Sequence, residues 1–317
     1  MIINFKSAAT NFIHTFILML MFIGSSHGVK AQIVDDSTLQ WVNYLQPKDT
    51  FVYQVTQKKL KIMGVDTSTT QHYTYDLTLV VLDTAGSKIK IKAEYNHYES
   101  KLKDALLEEV LKSGEGTVVE YTTNNFGVFE GISNADQVIK KVKQSYKSLE
   151  KKFADKPEIQ QVLKSMLNRY ATKEGIEAGG IDEIQFLHTG IGFQYVLYKD
   201  YEEDIHMPSI SGGVPFDGVR TFRLLEIDSL EKTAMLKIIT DIDGAQFRNE
   251  TIEVLKSMLP LDKQKSFNAE EVPEMFVQNR LVNLFHYDYG WNLYSYNIKE
   301  VEAGGNISQE ITEISLK

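Results

Sequence analysis

Segments in which apolar and polar residues alternate run through much of the chain. In the clearest of them, Ile89, Ile91 and Ala93 alternate with lysines. Such alternation places one strand face against a core and the other in water, which is typical of antiparallel sheets. Residues 73–82 repeat the pattern, and the turn-forming residues 83–86 join the two segments. The sequence therefore predicts an α+β fold built on a curved, half-barrel-like antiparallel sheet.

Two stretches with helical spacing interrupt the strands and predict a long helical hairpin at about residues 134–174. The first carries Val142 and Leu149 on its apolar face, and the second, which starts at Pro157, carries Leu163 and Met166. Apolar stripes of this kind usually pack in a core. If the sheet is open, the same stripes line a groove for an apolar ligand, so we predict these four residues as ligand contacts.

Shorter patterns predict the remaining elements. We expect a helix over residues 36–45, a strand at residues 186–187, a helix that begins at Pro273, and a closing hairpin over residues 291–316. The acidic run at residues 200–206 is typical of a solvated loop.

The chain also contains a weak internal repeat. A shift of 145 residues places the acidic turn at Asp83 on the one at Asp228. This match is consistent with a duplicated β unit, but any two antiparallel hairpins resemble each other to this degree. We keep both interpretations and predict one continuous domain over residues 32–317.

Residues 1–31 have the composition of a signal peptide. Lys6 precedes an apolar block at residues 16–23, and the small residues Val29 and Ala31 fit a cleavage site. The block is shorter than the roughly 20 residues that span a bilayer as a helix. We therefore expect export to the periplasm, the cell surface or the medium, with a Gram-negative bacterium as the source, and no stable membrane insertion after cleavage.

Composition excludes several classes of function. The chain has no cysteine, which removes disulfides, cysteine-ligated zinc and thiol nucleophiles. The net charge of −9 argues against nucleic acid or an anionic membrane surface as a partner. The hydrophobic content of 43% is enough for a sizeable apolar core.

An aromatic cluster near the C-terminus is a further candidate for ligand contact. It includes Tyr287, Tyr289 and Trp291. Planar rings beside carboxylates and amides can stack on sugars, whereas the same rings at a junction between two elements usually fill the core. We predict these three residues as ligand contacts and leave both interpretations open.

Catalytic and metal-binding patterns are weak. The acidic run at residues 200–206 ends in His206 but lacks the alternation of a calcium loop. Ser211 precedes two glycines without the GxSxG context of a hydrolase. We therefore predict no catalytic residue, no metal ligand and no cofactor.

The order of four features resembles that of the exported β-rich proteins of the Bacteroidota. These features are the export signal, the strand–turn–strand of residues 75–95, the segment at residues 120–127 before a helix, and the closing strand at residues 311–316. More distantly, the element order is similar to the lipoprotein-carrier half-barrel of the bacterial periplasm. That resemblance implies an apolar concavity that holds acyl chains or apolar peptide.

These observations lead to three hypotheses of function. The leading one is a non-enzymatic exported binding protein that holds an apolar ligand, lipid-like or peptide, or an envelope protein partner. The second is an exported hydrolase or glycan-active enzyme with scattered carboxylates or a Ser/His pair. The third is a structural or interaction module without a ligand.

Overall fold

The computed structural model describes residues 33–102, 104–207, 215–258, 264 and 266–317. The predicted signal peptide at residues 1–31 and the serine at position 211 lie outside these residues. The strands are β1 (Ile33–Asp35), β2 (Thr38–Gln40), β3 (Thr50–Met63), β4 (Asp66–Asp83), β5 (Lys88–Ser100), β6 (Thr117–Asn124), β7 (Phe129–Ile132), β8 (Gln194–Val196), β9 (Asp200–Met207), β10 (Phe216–Asp228), β11 (Thr233–Ile242), β12 (Met275–His286), β13 (Trp291–Ala303) and β14 (Asn306–Leu316). The helices are α1 (Ala105–Gly114), α2 (Ala135–Lys152), α3 (Pro157–Tyr170), α4 (Lys173–Glu177), α5 (Asp182–His188) and α6 (Gly244–Met258).

Eleven strands form one antiparallel sheet in the order β7-β6-β5-β4-β3-β14-β13-β12-β11-β10-β9. The sheet consists of two meanders, and its middle is the pairing of β3 with β14, near opposite ends of the chain. The described structure therefore confirms a β-rich α+β fold on an antiparallel sheet that is not closed. The half-barrel curvature stays a prediction.

The two meanders share an element order. β4 ends at Asp83 and β10 ends at Asp228, while β5 starts at Lys88 and β11 starts at Thr233. A helix follows the second strand of each pair, α1 after β5 and α6 after β11. Both turns begin with an aspartate that accepts a backbone N–H, from Ala85 in the first turn and from Leu230 in the second. These features support the predicted duplication, which stays a prediction.

One face of the large sheet, here called the inner face, carries the core in two parts. The first part lies on β3–β6 beneath α2, α4 and α5 and includes Tyr53, Leu77 and Ile91. The second part lies on β10–β12 beneath the small sheet β1-β2-β8, where Trp41 stacks on Phe285 with ring centroids 3.9 Å apart. Each part buries alternate residues of its strands, as the period of two requires.

Gly290 fixes the approach of the β2 segment to the β12–β13 turn. Its carbonyl accepts a hydrogen bond of 2.7 Å from the indole N–H of Trp41. It has φ +71°, and a Cβ there would lie 1.7 Å from the carbonyl oxygen of Val42. Only glycine satisfies both requirements.

Helices α2 and α3 follow each other and pack through their apolar faces. Leu163 of α3 is fully buried against Tyr146 and Leu149 of α2. Pro157 occupies the first turn of α3, as the sequence predicts. That the pair forms an inserted hairpin stays a prediction.

Four sequence predictions are wrong in the described structure. Residues 36–45 contain the short strand β2 and no helix, and residues 186–187 lie in α5 rather than in a strand. The segment after Pro273 is strand β12, because its inner positions alternate instead of following a helical stripe. The acidic run at residues 200–206 belongs to β9, which among the described strands pairs only with β10 and so lies at the edge of the sheet.

Candidate functional site

A row of polar side chains crosses the inner face at a single register position. Each of seven neighbouring strands contributes one residue that lies directly opposite the next, and we call this set the polar row. From the β9 edge inward, its members are Glu203, Arg220, Thr240, Asn279, Lys299, Glu310 and Lys59. Since a sheet's inner face is normally apolar where it is covered, a continuous polar row there marks a place with a different role.

Five members of the polar row form the floor of a cavity of about 620 Å³ beneath α4 and α5, namely Arg220, Thr240, Asn279, Lys299 and Glu310. Glu174, Glu177 and Asp182 line the helical side, and Phe129 and Phe186 add aromatic surface. The aliphatic part of the wall consists of Ile205, Ile238, Ile242 and Leu281. The volume lies in the range of small-molecule sites, and the lining combines apolar wall with a few polar groups, which is the usual composition of such sites.

Two asparagines of the sheet hold α5 over the cavity. The amide of Asn283 donates hydrogen bonds of 3.0 and 3.2 Å to the carbonyls of Phe186 and Thr189, and the amide of Asn292 donates one of 2.6 Å to Leu187. Carbonyls at a helix C-terminus lack intrahelical partners, so side-chain donors stabilise them there. Through their amide N–H groups these two asparagines are thus helix anchors, while their side-chain oxygens are buried without a partner in the described structure.

Two further asparagines of the sheet do not have such partners. Asn297 is only 3% exposed, lines the cavity, and its side-chain oxygen makes no hydrogen bond with any described residue. The side-chain oxygen of the neighbouring Asn279, in the polar row, is also buried and unpartnered within the described structure. A buried amide without a partner costs about 1–3 kcal/mol, so such groups call for an explanation.

Charged groups of both signs face the cavity. Arg220 donates a hydrogen bond of 2.9 Å to Glu203, and Lys59 contacts Glu310 at 2.5 Å. Lys299 makes no ion pair with any described acid, although its charge acts on Asp182 and on Glu310. Its ammonium is the free cation of the polar row in the described part of the chain.

The two carboxyls nearest Lys299 have pKa values that move in opposite directions. Burial raises the pKa of Asp182, despite the opposing charges of Lys299 and Arg169. Burial also acts on Glu310, but the hydrogen bond and charge of Lys59 prevail, with help from Lys299, and lower the pKa of Glu310. One carboxyl is therefore biased toward the protonated form and the other toward the ionised form.

A buried glutamate lies behind the cavity wall. Glu183 of α5 is 6% exposed, and burial raises its pKa to about 7, although the nearby Tyr75 hydroxyl lowers it. The hydroxyl of Tyr95 approaches Glu183 without reaching hydrogen-bond geometry. Gln57 extends this group, since it donates to the Tyr75 hydroxyl at 3.2 Å and accepts from the Tyr73 hydroxyl. Glu183 therefore changes charge near neutral pH.

His188 at the end of α5 has a structural environment. Its Nδ1 contacts the Gly127 carbonyl at 2.7 Å, and its Nε2 contacts the Tyr121 hydroxyl at 3.0 Å. The carbonyl accepts only from an Nδ1–H, so Nε2 accepts from the hydroxyl in the neutral ring. Burial lowers the pKa of His188 to about 4, which keeps the ring neutral.

The ligand contacts predicted on the helices lie elsewhere. Leu149 and Leu163 are buried between α2 and α3, and Val142 and Met166 pack against the same cluster. None of the four lines the cavity beneath α4 and α5. Their predicted role in ligand binding stays a prediction, and their contacts in the described structure are those of a helix–helix core.

The aromatic cluster near the C-terminus is divided by the β12–β13 turn. Tyr287 and Trp291, each 5% exposed, belong to the two different parts of the core, while Tyr289 is 65% exposed and lies against His286. None of the three predicted residues lines the cavity. Ligand binding by these residues likewise stays a prediction.

The acidic run cannot converge on one ion from its strand. In β9 successive side chains point to opposite faces, so Asp200 pairs with Arg223 while Glu203 pairs with Arg220 on the inner face. His206 contacts Asp217 at 2.7 Å. The described residues contain no group of three or more His, Asp or Glu side chains placed to hold a metal ion. No helix among them has the length and apolar character needed to cross a membrane.

The polar row was missed in the sequence because its members are scattered from position 59 to position 310. The available signal was Asn279 and Asn283, which interrupt an otherwise apolar alternation in β12. Polar residues at core-facing positions of a strand indicate a site. In β12 this signal is hidden, because the sequence predicts a helix there.

Comparisons with known proteins give weak likenesses. No protein-family model matches the chain, and no curated protein matches it. A structure of lipovitellin, on its lipid–protein interactions, is similar with a TM-score of 0.40 and 9% identity, over 86% of this chain and 25% of lipovitellin. The chain thus spans about a quarter of the length of lipovitellin.

Two further structures show lower similarity. A protein of Bacteroides fragilis described as exported and as having a YMCC-like fold is similar with a TM-score of 0.25 and 7% identity, over 88% of this chain and 99% of that protein. DynF, from the dynemicin biosynthesis pathway of Micromonospora chersina, has a TM-score of 0.19 and 5% identity, over 92% and 90%. TM-scores this low carry no argument about function.

Proposed function

We propose that the protein is a non-enzymatic binding protein that holds one small amphipathic ligand in the cavity over the polar row. The proposal includes export, as residues 1–31 predict. It changes the predicted ligand from apolar to amphipathic, because apolar and polar groups line the cavity in similar measure.

The observation that carries the proposal is the buried side-chain oxygen of Asn297, which lies in the cavity floor without a hydrogen-bond partner in the described structure. Beside it lie the unpartnered Asn279 oxygen and the free ammonium of Lys299. A ligand head that offers both donors and an acidic or carbonyl acceptor satisfies all three groups. Its apolar part then packs on Ile238 and Leu281.

The test uses dansylundecanoic acid as a fluorescent probe, because its carboxylate supplies the acceptor that Lys299 needs and its chain fits the apolar wall. We expect saturable uptake by the parent protein and about tenfold weaker uptake by Lys299→Met, which keeps the apolar stem and removes the charge. Lys237→Met is the matched control, since Lys237 lies on β11 next to the cavity residue Ile238 but on the opposite face.

The proposal is refuted if the parent shows no saturable uptake, or if Lys237→Met weakens uptake as much as Lys299→Met. Native mass spectrometry of the protein isolated from its own host identifies the natural ligand independently of the probe. An envelope protein that co-purifies in place of a small molecule supports the partner form of the original hypothesis, and it contradicts the cavity proposal.

A second candidate, an exported hydrolase or glycan-active enzyme, is favoured by one observation. Asp182 and Glu310 line the same cavity with pKa values displaced in opposite directions. This division into a protonated and an ionised carboxyl is the one that acid–base hydrolysis uses. Hydrolysis of p-nitrophenyl glycosides or esters that Asp182→Asn abolishes, with Asp217→Asn as an exposed control, favours the enzyme over the binding protein.

A further inference from the structure

Helix α2 carries a stripe of lysines on its exposed side. Lys140, Lys143, Lys147 and Lys151 follow each other at intervals of three and four residues, so they share one face, and all four are exposed. We call this set the lysine stripe. The opposite face of α2 is held in the core by Val138, Tyr146 and Leu149, which fixes the stripe toward solvent.

The charge of the stripe is not compensated. The helix contains six lysines and two acids, in a chain whose net charge is −9. Lys152 pairs with Glu109 at 2.6 Å, and Lys141 donates to the Glu115 carbonyl at 2.7 Å. In contrast, no lysine of the stripe has an ion pair or hydrogen bond among the residues that the structure describes.

The surface between the lysines is apolar. A shallow depression on this face is lined by Ile139 and Gln144 together with Asp136 and the stems of three stripe lysines, Lys140, Lys143 and Lys147. Lysine can place its methylene stem on an apolar surface while its ammonium reaches a polar phase. Because the apolar face of α2 is buried in the core, the attraction to a bilayer is electrostatic: a cluster of lysines favours anionic lipid within a Debye length, although the net charge of the whole chain opposes it.

We propose that the lysine stripe docks the protein onto a membrane surface rich in anionic lipid. The stripe contains no arginine, the residue that forks onto single phosphate groups in specific recognition. The one aromatic residue of helix α2, Tyr146, is buried, so the helix presents no ring that could stack on nucleic-acid bases. The four lysines instead form a line of positive charge about 16 Å long beside apolar surface. A line of this length fits the extended negative surface of a membrane that contains anionic lipid.

The test is co-sedimentation of the exported protein with vesicles of phosphatidylcholine alone or with about a third phosphatidylglycerol. We expect binding only to the anionic vesicles, and a loss of that binding as salt increases. Each lysine at an anionic surface raises partitioning about fivefold, so the variant K140Q/K143Q/K147Q/K151Q loses up to about 600-fold. Lys→Gln keeps helix propensity, and circular dichroism checks that the variant folds.

The matched control is K48Q/K61Q/K199Q/K237Q, which removes the same total charge from scattered positions outside α2. We expect it to bind anionic vesicles within about threefold of the parent, since the long-range effect of net charge is screened. The proposal is overturned if the parent ignores anionic vesicles, if the scattered control loses as much binding as the stripe variant, or if the parent binds heparin but no vesicle, which identifies a soluble polyanion.

Discussion

Replacement of Asn297 by leucine tests whether the cavity floor is built for a ligand. The Asn297 amide is 3% exposed and its oxygen is unpartnered in the described structure, which costs the folded state about 1–3 kcal/mol. Leucine is similar in shape and removes that cost. We therefore expect Asn297→Leu to raise the free energy of unfolding by about 1–3 kcal/mol, and the melting temperature by about 2–6 °C.

The same strand supplies a matched control. Asn292 is 2% exposed and its side-chain oxygen is also unpartnered in the described structure, but its amide N–H donates to the Leu187 carbonyl at 2.6 Å. Asn292→Leu leaves that carbonyl buried without its partner, so we expect a loss of about 1–3 kcal/mol. Urea denaturation of the two variants and the parent measures both changes.

Ligand affinity must move in the opposite direction from stability at Asn297. If a bound molecule satisfies the amide, Asn297→Leu weakens its binding by roughly 5- to 150-fold, the equivalent of about 1–3 kcal/mol. The reasoning is refuted if Asn297→Leu destabilises the ligand-free protein as much as Asn292→Leu does, because the amide is then already satisfied within the fold.

Three further predictions concern the surrounding structure. Between pH 4.5 and about 7 the folded protein keeps a proton on Glu183 that the unfolded chain releases, so Glu183 makes stability fall as pH rises. His188 acts in the opposite direction: it stays neutral in the folded protein down to about pH 4, so it makes stability fall as pH drops below 6.5. We expect urea denaturation to show that the free energy of unfolding of the parent changes little between pH 4.5 and 6.5. In Glu183→Gln it should rise with pH by up to about 1.4 kcal/mol per pH unit over that range, and at pH 8 it should exceed that of the parent by about 1–3 kcal/mol. A Glu183→Gln profile parallel to that of the parent contradicts the assignment. Gly290→Ala should destabilise by more than about 3 kcal/mol in thermal melts, since its Cβ collides with the Val42 carbonyl, and a near-normal melt would disprove that contact. Leu163→Ala should cost about 2–5 kcal/mol in the same assay without weakening dansylundecanoic acid uptake at a temperature where it is folded; weaker uptake there places the groove on the helices, as the sequence predicted.

The strands that alternate cleanly were predictable, and the ones that carry the site were not. The strand β5 is predictable because Ile89, Ile91 and Ala93 face the core while the intervening lysines face water. In β12 the buried residues Val277, Leu281 and Phe285 are four positions apart. That spacing fits one face of a helix, and it also fits every second inward-facing residue of a strand. The polar residues between them on the inner face obscured the alternation.

The candidate site also depends on strand order, which no local pattern reports. Lys59 meets Glu310 because β3 pairs with β14, and Lys299 meets Asn279 because β13 pairs with β12 in a particular register. A sequence shift of one residue in either pairing would turn these side chains to the outer face. Likewise α5 is a seven-residue helix held by distant asparagines, so its own residues do not specify it.

The pairing of the first long strand with the last has a consequence for how the molecule is assembled. Until residues 306–316 have left the ribosome, β3 lacks its second neighbour in the sheet, and each meander has an unpaired strand edge where the two would join. Contacts this distant along the chain form late and slowly. Loss of the final strand would therefore leave the edges of β3 and β13 open to pairing with other chains.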